Sequence, residues 1–262
     1  MLNIIDLERF PINRLNEPEG IELIQRCKQD LRENGMFNLE GFLVPQAINK
    51  AISEVKPVLN SSSFLHQREH NIYFEKSIPE LDDNHPALNQ CLTSNHTICA
   101  DQIKDSVLIK LYEWPAFADF LAAVMGKEKL FTMDDPLARL NVMAYKQGQA
   151  LNWHFDRSEF TTTLLLQSPA KGGEFEYRTG LRSDEDPNYA GVAKLLNNQD
   201  GQVKLLKLSA GTLNVFRGRN TAHRVTPVLG DRERIITVFS YYQNPGVVFT
   251  DEERIGFYGR AA

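Results

Sequence analysis

The spacing of apolar positions changes character near Asp134. Before it the period is helical. From Pro18 to Gly35, Ile21, Ile24, Cys27 and Leu31 fall on one stripe, and Asn34-Gly35 is a stop signal. Met36 to Leu43 reads as a short strand. The helical spacing returns from Pro45 to about Leu59, with Ile48, Ala51, Ile52 and Val55 on one face. Residues 60–100 mix polar and apolar positions without a clear period. Residues 101–126 predict one or two further helices ending at Gly126.

After Asp134 the runs are short and strand-like. They are Arg139–Tyr145, Ala150–Asp156, Phe160–Gln167, Glu174–Tyr177, Val203–Leu208, Thr212–Phe216, Ala222–Val228 and Arg234–Tyr242. Turn signals such as Gln147-Gly148, Lys171-Gly172-Gly173, Ala210-Gly211 and Gly230-Asp231 separate them. Many short, closely spaced strands predict a sandwich or jelly roll rather than βαβ units. The polar insertion Arg178–Gln202 predicts a surface loop or lid. No linker or repeat divides the chain. The expectation is one α+β domain over 1–262, with 1–133 mainly helical and packed on the sheet, and 134–246 forming the jelly-roll core.

Composition narrows the setting. The 262 residues are 42% hydrophobic and 24% charged, which is ordinary globular composition. With 29 basic and 34 acidic residues the net charge is −5, so no basic footprint for nucleic acid or an anionic membrane is present. No apolar run approaches the roughly 20 residues that span a bilayer. The N-terminus lacks a basic segment followed by an apolar one, so no signal peptide is expected. Cys27, Cys91 and Cys99 form no CxxC pair, which argues against a disulfide framework or a cysteine zinc site and for a reduced, cytoplasmic setting.

There are six histidines. In His154-Phe155-Asp156 the first and third side chains project from one face of a strand. His223 opens another predicted strand. Two imidazoles and one carboxylate on one side of a metal form the facial triad of non-haem iron(II), which leaves positions open for O₂ and an organic ligand. Arg234 starts the last strand and shares its face with Ile236, Val238 and Ser240. Facing inward, its guanidinium can anchor a dicarboxylate as a bidentate pair. Arg232 has the same parity and is the alternative anchor. His66, His85 and His96 have no partner at ligand spacing. Trp153 points away from the ligand face and reads as core.

These residues carry a resemblance. Asn152–Asp156, Thr161–Gln167, Gly172-Gly173-Glu174-Phe175, Leu208–Leu213 and His223-Arg224-Val225-Thr226-Pro227-Val228 with its downstream arginine resemble the iron(II)- and 2-oxoglutarate-dependent oxygenases of double-stranded β-helix (jelly-roll) fold. Trp153–Asp156, Leu164–Gln167, Gly172–Tyr177, Phe216-Arg217-Gly218-Arg219 and Pro245-Gly246-Val247 look similar to the branch of free-amino-acid radical halogenases and hydroxylases, as do His70-Asn71-Ile72-Tyr73 and Asp101-Gln102. The resemblance implies Fe(II), 2-oxoglutarate and O₂ as cofactors, with His154, Asp156 and His223 as metal ligands. It implies that Arg234 or Arg232 meets the far carboxylate of 2-oxoglutarate, with Tyr145 and Thr226 as further contacts. The halogenases of that branch replace the carboxylate ligand with a small residue, which opens a site for chloride. Asp156 is retained here, so hydroxylation of a small molecule, foremost a free amino acid, is implied. Candidate substrate contacts are Arg157, Glu159, Ser240, Arg68 and His70, with Tyr73 beside them. A cupin-like metal-binding jelly roll without oxygenase activity and a protein-modifying oxygenase are the alternative readings.

Overall fold

The computed structural model describes Met1 and residues 3–261. The helices are α1 (Pro18–Asn34), α2 (Pro45–Ser62), α3 (Val107–Tyr112), α4 (Pro115–Met125), α5 (Tyr189–Leu196) and α6 (Asp251–Tyr258). The longer strands are β1 (Met36–Leu39), β2 (Phe64–His70), β3 (Cys91–Cys99), β5 (Leu140–Tyr145), β6 (Leu151–His154), β7 (Thr161–Gln167), β9 (Phe175–Arg178), β10 (Lys204–Leu206), β11 (Leu213–Phe216), β12 (Ala222–Val225) and β14 (Arg234–Phe239). Two-residue strands complete small ladders: β4 (Phe131–Thr132) pairs with β15 (Tyr241–Tyr242), and β8 (Lys171–Gly172) with β13 (Val228–Leu229).

A seven-stranded sheet has the order β1-β11-β7-β14-β5-β3-β2, and a four-stranded sheet the order β10-β9-β12-β6. From β5 to β14 the chain passes back and forth between the large sheet (β5, β7, β11, β14) and the small one (β6, the consecutive β9 and β10, and β12). This interleaving is the double-stranded β-helix. One face of the large sheet packs under α1 to α4. Val142, Ala144, Leu164, Leu166, Val215 and Ile235 meet Leu23, Leu31, Val55 and Phe120 there in one core. The intervening residues Met143, Tyr145, Arg234 and Ile236 point the other way, into a cavity shared with the small sheet. Period-2 alternation thus puts packing on one face and chemistry on the other.

The helices follow from local sequence with one adjustment. Pro18 sits in the first turn of α1, and Gly35 ends it in the left-handed region at φ 73°. The buried stripe is Leu23, Cys27 and Leu31, while Ile21 is exposed, so the stripe is rotated from the expected one. The 60–100 region that gave no period holds a regular hairpin, β2 against β3 in register from Phe64↔Thr97 to His70↔Cys91. Its inward residues are Arg68, His70, Thr93 and Asn95, which line the cavity, so polarity hides the alternation. Among the described residues the N-terminal part therefore supplies three strands of the large sheet, and the short β4, as well as four helices. The 178–202 insertion is more than a polar loop. It contains α5, whose Val192 and Leu195 pack with Ile72, Trp153 and Phe155. No helix among the described residues is long and apolar enough to cross a membrane.

Asp135 ties the C-terminal segment to the core. It is fully buried. Its Oδ1 accepts from the Leu137 and Ala138 amides at 2.9 and 2.8 Å, and its Oδ2 accepts from the Phe249 amide at 2.9 Å and pairs with Arg254 Nε at 2.8 Å. Burial pushes this carboxyl up, but the amide and guanidinium hydrogen bonds outweigh it and hold its pKa below the ordinary value. Asp135→Ala is expected to lower unfolding free energy by about 3 kcal/mol, read as an earlier urea midpoint. The folded pKa is the lower one, so this contribution is complete above the unfolded aspartate's pKa and is lost as pH falls through the folded value.

Candidate active site

Strand pairing builds the site. His223 on β12 lies opposite His154 on β6, and their ring centroids are 4.0 Å apart. Asp156 follows β6, held by its amide donating to the Gly218 carbonyl at 3.1 Å. Asp156 Oδ1 lies 3.3 Å from His154 Nε2, and Oδ2 lies 3.5 Å from His223 Nε2. One ligand atom from each residue falls within 4.8 Å of the others. His154 Nδ1 is 2.8 Å from the Asn152 carbonyl and His223 Nδ1 is 3.0 Å from the Thr221 carbonyl. A carbonyl only accepts, so each Nδ1 carries the proton and each Nε2 turns a lone pair toward the shared point.

The electrostatics suit a cation there. Burial and the neighbouring His154 push His223 down to about 4, despite Asp156, so the imidazole is neutral near pH 7. Burial pushes Asp156 up, but His223, His154 and the Thr161 hydroxyl outweigh it and hold it far below the ordinary carboxyl range. Thr161 Oγ1 donates to Asp156 Oδ2. Two imidazoles and one carboxylate, all on one side of a cavity of about 760 Å³, are a donor set that fits iron(II) with positions left open.

Gly218 makes this approach possible. A Cβ there would run into Asp156 Oδ2 and Thr161 Oγ1, and would lie 2.9 Å from Asp156 Cβ. Gly218→Ala is expected to weaken iron(II) affinity by about 10- to 100-fold, the usual cost of disturbing a ligand's support. Metal titration of the apoprotein checks this; unchanged affinity would show that the carboxylate tolerates the shift.

Arg234 stands across the cavity on the large sheet. It is 3% exposed and opposite Tyr145 in the β14–β5 ladder, its guanidinium 5.8 Å from the Tyr145 ring centroid. Among the described residues no carboxylate pairs with it. Burial lowers its pKa from the usual guanidinium value and raises that of Tyr145 to about 12, leaving a cation beside a neutral phenol. A buried cation without an internal partner suits an anionic ligand.

The other candidates separate. Arg232 is exposed and lies outside the cavity, because it precedes β14. Thr226 is also outside, its hydroxyl accepting from the Glu174 amide at 2.9 Å in the turn before β13. Glu159 is exposed and held 2.6 Å from Lys127, away from the cavity. Arg157 lines the mouth and pairs with Glu253 at 2.9 Å. Ser240 lines the cavity while its hydroxyl donates to the Ala138 carbonyl at 3.1 Å. His70 is buried with both nitrogens engaged, Nδ1 2.9 Å from the Asn71 carbonyl and Nε2 2.7 Å from Thr93 Oγ1. It stacks on Phe74 at 4.4 Å and braces the wall beside His154. Arg68 lines the cavity with its guanidinium 4.9 Å from the Phe74 centroid. Tyr73 also lines it, its hydroxyl donating to the Pro187 carbonyl at 2.6 Å.

Sequence reasoning missed several wall residues. His66 lines the cavity and stacks on Phe257 of α6 at 6.1 Å. Arg182 enters from the insertion. Phe74 adopts φ 60°, uncommon for a bulky residue, and its loop is clamped by the Asn71 side chain, which bonds the Tyr73 and Glu75 backbone. The one available signal was the polar inner face of β2 and β3.

Interleaved antiparallel sheets with a His-Asp-His cluster between them define the class: the iron(II)/2-oxoglutarate oxygenase superfamily. AviO1 from Streptomyces viridochromogenes superposes with a TM-score of 0.57 at 16% identity, over 83% of this chain and 93% of that one. A Pseudomonas putida prolyl-4-hydroxylase gives 0.52 at 15%, over 82% and 97%. The epimerase SnoN, in complex with Fe3+, alpha ketoglutarate and nogalamycin RO, gives 0.56 at 14%, over 84% of each chain. At these identities the likeness is one of fold. No curated protein sequence matches the chain. Within the superfamily the chain belongs to the halogenase D family, which it matches over residues 20–248.

Proposed function

We propose that the protein hydroxylates an unactivated C–H bond of a small molecule, foremost a free amino acid, using iron(II), 2-oxoglutarate and O₂. The observation that carries this reading is Asp156, placed with His154 and His223 to complete a three-ligand face. In a halogenating site the position of this carboxylate belongs to chloride. The side chain of Asp156 fills that position and is fixed there by Thr161. The reading therefore departs from the family's name on a single side chain. Arg234, buried and facing the cavity, supports an oxygenase over a cupin-like binding protein.

Iron(II) with 2-oxoglutarate supplies oxidative decarboxylation to succinate and oxidation of the substrate C–H. The chain's own residues do the rest. His154 and His223 present lone pairs, with their Nδ1 protons parked on backbone carbonyls. Arg234 receives the far carboxylate of the cosubstrate, and the neutral Tyr145 hydroxyl offers a further donor. Phe155, Phe175 and Phe216 give the metal side apolar walls that limit water.

The test is anaerobic addition of iron(II) and 2-oxoglutarate. The expected result is a weak metal-to-ligand charge-transfer band in the visible. On aeration with a panel of free amino acids, one should stimulate succinate release and give a product heavier by one oxygen atom. No band would sink the cofactor assignment. A chlorinated product from the unaltered chain would sink the argument from Asp156.

A further inference from the structure

The walls of the cavity are strongly cationic for a protein of net charge −5. Five arginines line them, Arg68, Arg157, Arg182, Arg219 and Arg234, against two carboxylates, Asp156 and Glu75. Arg234 and Asp156 are spoken for by cosubstrate and metal. Arg157 pairs with Glu253 at 2.9 Å, and Arg219 lies 3.9 Å from Asp184. Arg68 and Arg182 remain, and among the described residues neither pairs with a carboxylate.

Both are half-buried and held in place without being neutralised. Arg68 lies over Phe74 at 4.9 Å, and the Phe74 ring is 5.9 Å from that of His154. Arg182 lies over Phe155 at 4.0 Å, the residue between the two ligands His154 and Asp156. Its Nε donates to the Arg219 carbonyl at 2.7 Å, while among the described residues its terminal nitrogens have no hydrogen-bond acceptor. Each free guanidinium is thus one aromatic ring away from the metal ligands. Asn95 adds a neutral donor to the wall. It is 3% exposed, its Oδ1 takes the Thr97 hydroxyl at 2.7 Å, and its Nδ2 has no partner among the described residues. The remaining carboxylate is Glu75, whose backbone is clamped on both sides by the Asn71 side chain.

We infer that the substrate carries two anionic groups and one cationic group, the charge pattern of an acidic amino acid. Arg68 and Arg182 receive its two carboxylates and Glu75 its ammonium. The inference rests on the oxygenase reading above and specifies its substrate class. A basic side chain would add a third cation where two already lack partners, and an aliphatic one would leave one of those guanidiniums desolvated and unpaired. A dicarboxylic amino acid satisfies both through bidentate, charge-assisted bonds.

The experiment uses the full chain loaded anaerobically with iron(II) and 2-oxoglutarate. Aspartate, glutamate, asparagine, glutamine, lysine and leucine are added in turn, then oxygen. Aspartate or glutamate is expected to shift the charge-transfer band and to stimulate succinate release, with kcat/KM at least about tenfold above its own amide. Arg182→Gln is expected to raise KM for the acidic substrate about tenfold or more while the band formed with 2-oxoglutarate alone is retained, which also reports that the variant folds. Arg182→Lys should recover part of the loss. A normal band with lysine, leucine or the amides preferred overturns this inference and leaves the oxygenase reading standing. So does an Arg182→Gln enzyme with unchanged KM. Failure of the band itself in the unaltered protein overturns both.

Discussion

Replacing His223 with alanine is expected to abolish 2-oxoglutarate turnover and iron binding together. Among the described residues the imidazole is one of three donors in the site, and no hydrogen donor competes for its Nε2. Disturbing a ligand's outer support alone costs about 10- to 100-fold in affinity, so loss of the ligand itself should exceed a hundredfold. The same holds for His154→Ala, because the two rings occupy equivalent places across the β6–β12 pair. Iron(II) titration followed through the charge-transfer band, with succinate release as the second readout, checks both. His223 packs among Phe175 and Phe216, at 5.6 and 4.8 Å, so removing the ring also leaves a void. His223→Gln, which fills more of that space, separates loss of the ligand from loss of packing. Full turnover in either His223 variant would remove this residue from the ligand set.

The second large effect is expected at Arg234. A bidentate charge-assisted contact contributes about 3 kcal/mol, so Arg234→Met should raise the apparent KM for 2-oxoglutarate about a hundredfold. Iron affinity should change little, since Arg234 lies on the opposite sheet from the ligands. The ligand-free protein should respond in the other direction. The guanidinium is buried with no paired anion among the described residues, and an apolar side chain of similar length relieves that cost. Urea unfolding without 2-oxoglutarate is therefore expected to show a variant at least as stable as the parent. Arg232→Ala is the control: its side chain is exposed, and neither quantity should move. A strong 2-oxoglutarate defect in Arg232→Ala with a normal Arg234→Met would reverse the assignment.

What was legible in the sequence follows from which side chains are constrained locally. His154 and Asp156 could be paired because strand parity is a purely local rule, although Asp156 itself lies just beyond the end of β6. His223 needed only a second strand. Arg234 and Arg232 share parity and could not be separated, since only the start of β14 decides which one is carried inward. Thr226 was offered as a hydroxyl contact by the resemblance, but its hydroxyl is used by a turn that no local pattern announces. The β2–β3 hairpin was hidden because its buried face is polar, and the usual apolar signal is absent where a cavity replaces a core. Arg182 lay beyond reach for another reason. Its placement depends on α5 docking Val192 and Leu195 against Ile72 and Trp153, a contact between distant segments. Sequence pattern thus served the metal end of the site, where ligands ride on regular strands. At the substrate end it reached Arg68, His70, Arg157 and Ser240, which line the cavity, but not His66 or Arg182, because that wall is assembled from the hairpin, the insertion and α6.

The division of the site between two sheets has a thermodynamic consequence. The donors proposed for the metal belong to the small sheet and its flanking turn, whereas Arg234 and Tyr145 belong to the large one. A cosubstrate held at one end by the metal and at the other by Arg234 is a removable tie-rod between two layers. Iron alone loads only one layer, and 2-oxoglutarate alone has only one anchorage. The rise in Tm with both present should therefore exceed the sum of the rises with each separately. One ligand alone, at a hundredfold above its dissociation constant, contributes about 2.7 kcal/mol, and the coupling between the two adds to the separate contributions.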